Sequence, residues 1–385
     1  MDIFRYELKK LVSSAALWAF LAACMLFNIL LIAADASGNT YAGFVGTAAE
    51  KTGYTLGERF SSRLEQLPFS NETEERYLSW LRRETSDVKD IFDGYDAPEK
   101  IGEQYIGALG LKGSTADMMR AKYQALQKSV DEKAARGESL TVYFAGDTYG
   151  MHKQLFGGVM KWLTTEGLLI AALVTLLSVG FENICRTDQL VYSTKTGRRV
   201  LRKKLPAAVL TGLAAYLLLV AVTLPVYLLM NHYGGIWGSS VSSVFNYVFD
   251  YICGQKPFIT WQSYTVITYI PAVIAASAGL ILCFALLAFV IGVLLKNSYV
   301  GFVVFIIIDA ALFLLPASLN QTSLAFYISV LNPVSLWYKQ YLWFTDGGPD
   351  ILWPHFETLG IIATFCLLTI FCILSARRFR KKDLL

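Results

Sequence analysis

The chain has 385 residues, 55% of them hydrophobic, and a mean hydropathy of +0.45, which is more apolar than a soluble domain of this length. Several runs of about 20 apolar residues are each long enough to cross a hydrocarbon core of roughly 30 Å. The composition therefore excludes an ordinary soluble enzyme and indicates an integral membrane protein. Its spans must be regular helices, because lipid satisfies no backbone polar groups.

Six apolar stretches are predicted to be transmembrane helices. They cover roughly residues 12–33, 162–181, 206–230, 270–295, 299–317 and 357–376. The first stretch is longer than the apolar part of a signal peptide, about 7–15 residues, so we expect it to be retained. Pro206 and Pro271 suit the first turns of the third and fourth helices, where a missing N–H costs nothing. The short connection 296–298 makes the fourth and fifth spans an antiparallel hairpin.

Lys and Arg are distributed unequally between the two sides of this arrangement. The N-terminus, the loop 182–205 and the tail 377–385 are rich in them, whereas the opposite short loops, 231–269 and 318–356, contain one each. Because short cytoplasmic loops retain Lys and Arg, the basic side is predicted to be cytoplasmic, with both termini inside. This rule explains the positive charge without a nucleic-acid ligand, so no nucleic-acid partner is expected.

Residues 36–157 interrupt the membrane pattern, and a segment of this length is translocated regardless of its charge. It is predicted to be a mostly helical extracytoplasmic domain, either a small cap packed on itself or a lid or recognition surface over an export pathway. Ser114 or Thr115 is expected to cap its second long helix and Gly137 to end it. The apolar faces of its two long helices contain Tyr77, Leu81, Val88, Ile91 and Phe92 in the first, and Met119, Tyr123, Leu126 and Val130 in the second.

The predicted fold class is therefore an all-α polytopic membrane protein with six transmembrane helices and a helical domain between the first and second. Residues 1–35 form the N-terminal cytoplasmic segment and first span, and residues 36–157 form the extracytoplasmic domain. Residues 158–385 contain the other five spans, the basic loop and the basic tail.

No motif in the sequence indicates catalysis. The pattern G-x-x-x-x-G-K-[ST] is absent, so the chain has no phosphate-binding loop of its own. No two of the three histidines, His152, His232 and His355, have the i, i+4 spacing of helical zinc ligands, and we expect them to be interfacial. The chain is thus predicted to be neither an enzyme nor a holder of a metal or cofactor.

Asp309 lies near the middle of the fifth predicted span, in "FIIIDAALFLL". An ionised carboxylate at the membrane centre costs at least about 2.5 kcal/mol, so such a residue usually faces a bundle interior or a cavity. Two interpretations remain open for this candidate intramembrane polar site. Asp309 either forms a hydrogen bond with a neighbouring helix, or lines a translocation path or a subunit contact.

The loop between the second and third predicted spans contains acidic and small residues that the positive-inside rule does not explain. The stretch "ENICRTDQLVYSTKT" is predicted to form a short helix along the membrane face, and Gly197 permits a turn before the next span. The loop resembles the corresponding loop of bacterial ABC transporter permeases of the ABC-2 type, as do the six spans with both termini inside. The matching positions are Glu182, Asp188, Leu190, Ser193, Gly197, Arg198 and Lys204.

The resemblance implies that this loop is a coupling helix, docking on a separate ATP-binding subunit that carries ATP and Mg. It also implies a bacterial plasma membrane location, a second permease subunit in a homodimer or heterodimer, and short re-entrant helices within about 320–345. The expected function is ATP-driven export of a peptide, an antibiotic or another amphiphile. The alternatives are a membrane-anchored sensor or interaction protein with a ligand-binding ectodomain, and a proton-coupled secondary transporter that uses Asp309.

Overall fold

The computed structural model describes residues 3–38, 40–86, 97–138, 152–193, 197–231, 233–245, 247–295 and 297–381. Its helices are α1 (Ile3–Val12), α2 (Ala15–Gly38), α3 (Thr40–Thr52), α4 (Glu58–Glu65), α5 (Glu72–Ser86), α6 (Ala97–Leu109), α7 (Ser114–Ala135), α8 (Met160–Ile184), α9 (Asp188–Ser193), α10 (Leu201–Met230), α11 (Val241–Phe245), α12 (Val266–Leu295), α13 (Ser298–Leu314), α14 (Leu324–Ser329), α15 (Pro333–Tyr338) and α16 (Phe356–Lys381). A π-helical turn over Gln154–Val159 leads directly into α8, and the strands β1 (Tyr247–Asp250) and β2 (Gly254–Pro257) form one antiparallel hairpin.

Helices long and apolar enough to cross a membrane confirm a mainly helical membrane protein. Within the described ranges there are five of them, over Ala15–Ala34, Gln154–Ile184, Leu201–Met230, Val266–Leu295 and Phe356–Phe379. The fifth predicted span corresponds to α13, an apolar helix of 17 residues. At 1.5 Å per residue this helix is about 25 Å long, near the lower limit for crossing a bilayer.

Several predicted helix boundaries are wrong. Pro206 and Pro271 both lie at the sixth residue of their helices, because α10 begins at Leu201 and α12 begins at Val266. The N-terminal segment forms a separate helix, α1, before α2 begins at Ala15. In α10 and α12 the apolar pattern marks only part of the helix, and buried residues before that part, such as Lys204 and Val266, belong to the same helix.

The centre of the bundle is α8, which packs against α2, α10, α12 and α13, while α16 packs against α12. The expected hairpin of the fourth and fifth spans is confirmed, since α12 and α13 are in contact and Asn297 connects them closely. The Asn297 side chain accepts hydrogen bonds from the backbone N–H groups of Tyr299 and Val300, which fixes the start of α13.

The segment before α16 contains the short helices predicted from the resemblance. The helices α14 and α15 pack near the ends of the long helices, where α15 contacts α12, α13 and α16. Trp337 donates a hydrogen bond to Thr165 of α8 at 2.9 Å, and the Gln340 amide nitrogen lies 3.0 Å from the Thr164 hydroxyl. This segment is therefore fastened to α8, whether or not it enters the bilayer.

The β1–β2 hairpin was not predicted and is the exception to the all-α expectation. Its turn is fixed by Asp250, whose side chain accepts hydrogen bonds from the backbone N–H groups of Ile252 and Cys253, and by Gly254 at φ +71°. Gly adopts this left-handed conformation without the steric cost that a Cβ would bring. Two four-residue strands are too short for an alternating pattern to distinguish them from a loop.

The predicted domain 36–157 is helical, but its helices divide into two groups. The helices α3, α4 and α5 enclose a small apolar cluster of their own, centred on residues such as Val45, Phe60, Leu78 and Leu81. The helices α6 and α7 instead contribute to the main core of the molecule. The interpretation as a cap packed only on itself therefore fits α3–α5 and fails for α6–α7.

The predicted apolar face of α7 is confirmed, because Met119, Tyr123, Leu126 and Val130 are all buried. Gly137 follows the helix end in the left-handed conformation, as expected, at φ +69°. The predicted N-cap residue, Ser114 or Thr115, is wrong. The helix α7 already begins at Ser114, so its N-cap position is Gly113, which forms no side-chain hydrogen bond there. In the first helix Leu78 and Leu81 are buried, and Val88, Ile91 and Phe92 lie outside the described residues.

Three segments that are far apart in sequence meet at a buried group of charges, here called the Asp346 cluster and formed by Lys122, Tyr123, Lys256 and Asp346. The Lys256 ammonium and the Tyr123 hydroxyl each lie 2.5 Å from Asp346 Oδ2. Lys122 donates to the backbone carbonyls of Ile351, Gly348 and Asp346 at 2.7, 3.0 and 3.2 Å. Burial alone would raise the pKa of Asp346, but Lys256 and Lys122 outweigh it and hold this pKa at about 2.

The first testable prediction concerns the side of the membrane on which each segment lies. Ser62 of α4 and Ser193 of α9 are both exposed, so Cys introduced at either position is accessible to reagent. In a background without the six natural cysteines, Ser62→Cys should react with an impermeant maleimide on intact cells, whereas Ser193→Cys should react only after permeabilisation. Labelling of position 193 alone on intact cells would reverse the predicted orientation.

Candidate functional site

The predicted coupling loop connects the end of α8 to the start of α10. The expected short helix is present as α9, and a 3-10 turn over Gly197–Val200 leads into α10. Gly197 has φ +47°, a left-handed conformation that suits Gly. Val200 and Leu201 are buried, so the loop is anchored where it enters α10.

Two of the predicted coupling residues pair with each other inside the protein. The Lys204 ammonium lies 2.5 Å from Glu182 Oε2 and also donates to the backbone carbonyl of Ser178. Glu182 is 5% exposed and Lys204 is fully buried. These two side chains cannot form the surface that a partner touches, and they instead fasten the end of α8 to the start of α10.

The N-terminal helix is attached at the same point. Lys10 lies 2.5 Å from Glu7 of its own helix and 3.9 Å from Glu182, and its ammonium sits 4.1 Å from the centre of the Phe181 ring. Glu7 is buried as well. The four residues Glu7, Lys10, Glu182 and Lys204 are called the basal cluster below, and they join α1, α8 and α10 at one end of the bundle.

The chain leaves α8 through a tight left-handed cap. Arg186 has φ +53°, its N–H donates to Asn183, and the next N–H, that of Thr187, donates to the Glu182 carbonyl at 2.8 Å. This is the hydrogen-bond pattern of a Schellman motif, which usually has Gly at the position of Arg186. The loop direction is therefore fixed at both of its ends by backbone geometry.

The remaining predicted coupling residues lie on or beside α9. Leu190 is 73% exposed. Ser193 is exposed too, and its hydroxyl donates to the Leu190 carbonyl at 2.9 Å. The backbone of Asp188 and Arg198 is described, but their side chains lie outside the described part of the structure. The arrangement presents an exposed helix on a rigid base.

Asp309 lies on α13, where Ile306 and Ile307 beside it are exposed. Its Oδ1 atom is buried and has no hydrogen-bond partner among the described residues. The hydrogen bond to a neighbouring helix, which was one of the two interpretations, is thus not formed by that atom within this part of the chain. A role in a path or a subunit contact stays a prediction.

Two buried polar contacts between long apolar helices were not predicted from the sequence. Asn28 of α2 is buried and donates to Glu166 Oε2 of α8 at 2.8 Å, and the Thr164 hydroxyl lies 2.9 Å from that of Ser277 on α12. The signal was available, because Asn28 and Glu166 interrupt apolar runs as Asp309 does. Such contacts hold helices together where lipid offers no alternative partner.

Of the three histidines, which were expected to be interfacial rather than zinc ligands, the structure describes His152 and His355. In the part of the chain that the structure covers, no group of three or more His, Cys, Asp or Glu is placed to hold a metal ion. His152 is fully buried, its Nδ1 lies 3.0 Å from the Tyr233 hydroxyl, and burial lowers the pKa of His152 well below its usual range. His232 lies outside the described residues.

No family model matches the chain, and neither a curated protein nor a solved structure matches it.

The second prediction tests the basal cluster with a double-mutant cycle. Glu182→Leu and Lys204→Met should each lower the free energy of unfolding by about 3–5 kcal/mol, because each leaves a buried charge without its main partner. The double variant should recover most of this loss. Denaturant unfolding of the full chain in detergent measures all three.

The exposed pair of Glu103 and Arg120 is the matched control, and its single variants should change the free energy of unfolding by less than about 1 kcal/mol. Strictly additive effects of Glu182→Leu and Lys204→Met would contradict the pairing.

The third prediction concerns Asp309. Because its Oδ1 is buried without a partner, Asp309→Leu should raise the thermal unfolding midpoint of the isolated subunit, removing a cost of at least about 2.5 kcal/mol. If this carboxyl contacts a second subunit, the same change should lower the dimer fraction measured by light scattering, while Asp309→Asn preserves it. Ala310→Leu, at the next exposed position, is the control. A lower thermal unfolding midpoint for Asp309→Leu would show that the Asp309 carboxyl has a stabilising partner within the subunit.

Proposed function

We propose that this chain is the transmembrane subunit of an ATP-driven ABC exporter of the ABC-2 type. The observation that carries the proposal is the display of α9, with Leu190 73% exposed, on a base formed by the buried Glu182–Lys204 pair. A soluble domain in contact with α9 would grip an element that is fixed to three helices at once. This is the mechanical requirement for coupling a partner's motion to a membrane path.

The basal cluster determines how a push on α9 is transmitted. The 2.5 Å contact of Lys204 with Glu182 joins the end of α8 to the start of α10, and Lys10 adds α1 to the same group. Separating these charges in a buried setting is costly, so the two long helices would move together rather than slide apart. Since α8 packs on α2, α10, α12 and α13, its displacement would reach the whole bundle.

The chemistry of the cycle is assigned to a partner chain. This sequence has no phosphate-binding loop, so ATP and Mg would bind the separate ATP-binding subunit. Two permease subunits, identical or different, would enclose the path between them. Amphiphiles, peptides or antibiotics are the classes of cargo that we propose for outward transport.

The proposed topology adds α13 as a sixth span and places both termini in the cytoplasm of a bacterial cell. Support for one common outer side comes from the Asp346 cluster, which joins α7 to the loops before α12 and before α16. Support for one common inner side comes from the basal cluster, which joins the N-terminal helix to the coupling loop. The basal cluster lies at the C-terminal end of α8, whereas the segment that leads to Asp346 contacts the N-terminal part of α8 through Gln340 and Thr164.

A membrane-anchored sensor is the second candidate. The observation that favours it is the separate apolar cluster of α3–α5, since a unit with its own core can bind a ligand without a transport path. The two candidates differ in what must touch α9. An exporter requires an ATP-binding subunit there, whereas a sensor does not.

The fourth prediction separates the candidates. The tagged full chain, purified in mild detergent from its native membrane, should bring with it a chain containing a phosphate-binding loop and vanadate-sensitive ATPase activity. Leu190→Asp should abolish this association without changing the thermal unfolding midpoint, because Leu190 is exposed and Asp there breaks only an intermolecular apolar contact.

Phe69→Asp is the matched control, since Phe69 is also an exposed apolar residue, 52% accessible, but belongs to the connection between α4 and α5. It should retain the ATPase. A wild-type preparation without any ATP-binding chain would refute the exporter proposal and favour the sensor.

A further inference from the structure

A cavity of 310 Å³ opens between the start of α10, the later part of α12 and the end of α16. Its inner wall is apolar and includes Leu205, Phe289 and Ile373. It extends along α16 from Arg377 back to Thr369, which is eight residues and therefore about 12 Å of helix. A cavity of this size and lining fits a hydrocarbon segment better than water.

The mouth of the cavity is positively charged. Arg202 and Arg377 both line it, and both are exposed. Among the described residues, neither guanidinium is within 4 Å of a carboxylate. Lys10 and Lys204, in contrast, each form an ion pair with a glutamate. Two guanidinium groups that line one opening, and that have no carboxylate partner among the described residues, can donate charge-assisted hydrogen bonds to a phosphate.

We propose that this cavity binds one anionic glycerophospholipid, with the phosphate at Arg202 and Arg377 and an acyl chain along the apolar wall. A free phosphate would contact the two arginines but not the apolar wall of the cavity. A neutral amphiphile would contact the apolar wall but would form no ion pair with the two arginines. Only an anionic lipid uses both, and basic pockets between transmembrane helices are suited to such headgroups.

The bound lipid would connect α16 to the base of the proposed coupling loop. Arg202 lies in the same first turn of α10 as Lys204 but on a different face of the helix, because residues two positions apart do not face each other. The start of α10 and the end of α16 already share an apolar cluster that includes Leu201 and Cys372, and the lipid would add a second connection between them. The inference requires that the helices span a membrane, and it holds whether or not an ATPase binds α9.

The probe for the test is phosphatidylglycerol, compared with phosphatidylcholine of identical acyl chains, added to the delipidated full chain in detergent. Native mass spectrometry counts the lipids retained and gives their affinity. We expect one phosphatidylglycerol to bind at least roughly tenfold more tightly than phosphatidylcholine, because a charge-assisted contact is worth about a factor of ten. Arg202→Ala/Arg377→Ala should remove this preference.

Lys203→Ala/Arg378→Ala is the control, because it removes the same charge at adjacent exposed positions that do not line the cavity. It should change phosphatidylglycerol affinity by less than about twofold, since it leaves the two phosphate contacts intact. Ala376→Phe fills the cavity without changing charge and should weaken phosphatidylglycerol, since each methylene excluded from the wall costs about fourfold.

Three results would overturn the proposal. The first is equal affinity for both lipids. The second is an equal loss in the control pair, which indicates general surface charge. The third is competition by millimolar inorganic phosphate together with unchanged binding to Ala376→Phe, which indicates a free-anion site. Thermal unfolding of each variant, with and without phosphatidylglycerol, checks folding and should show lipid-dependent stabilisation only where the site is intact.

Discussion

The bundle depends on how closely the other helices approach α8. Helices in lipid gain little by hiding apolar surface from one another, so their association relies on packing and on small residues that admit close contact. A Cβ added to Gly212 of α10 would lie 2.9 Å from the Ala171 Cβ of α8, and one added to Gly167 would lie 2.6 Å from Ile281. A Cβ added to Gly292 would lie 3.2 Å from Val179 of α8, and one added to Gly301 would lie 3.0 Å from Leu176 of α8. A glycine on one side of each contact thus sets how closely the two helices approach.

Close packing fixes the spacing of the helices, and the two charge clusters fix their ends. The basal cluster holds α1, α8 and α10 together, and the Asp346 cluster holds α7 to two distant loops. Both are buried, so each charge must be compensated internally. In the Asp346 cluster, three backbone carbonyls accept hydrogen bonds from Lys122, and the Asp346 carboxylate accepts one from Lys256. These contacts explain how both lysines are tolerated almost completely buried from solvent.

The sequence was sufficient for features that depend on a local pattern. The apolar runs located the long helices, and the three-four spacing located the buried face of α7. The sequence was insufficient where a residue's partner lies far along the chain. Lys122 and Asp346 are separated by more than two hundred positions, and nothing local indicates that they meet. The helix starts at Leu201 and Val266 were missed for the same reason, because tertiary burial rather than hydropathy extends those helices.

The candidate site shows the same division between local pattern and tertiary contact. Seven residues of the loop were predicted to couple to a partner, yet Glu182 and Lys204 satisfy each other and are inaccessible. A charge pattern in a loop does not distinguish a pair that faces a partner from a pair that faces inward, since both require an acid and a base at a fixed separation. Inward charges are held to a narrow geometry by their burial, whereas exposed groups such as Leu190 are constrained only by what binds them. In the proposed exporter, the buried pair would thus determine that the loop can transmit a force, and the exposed face of α9 would determine which protein applies it.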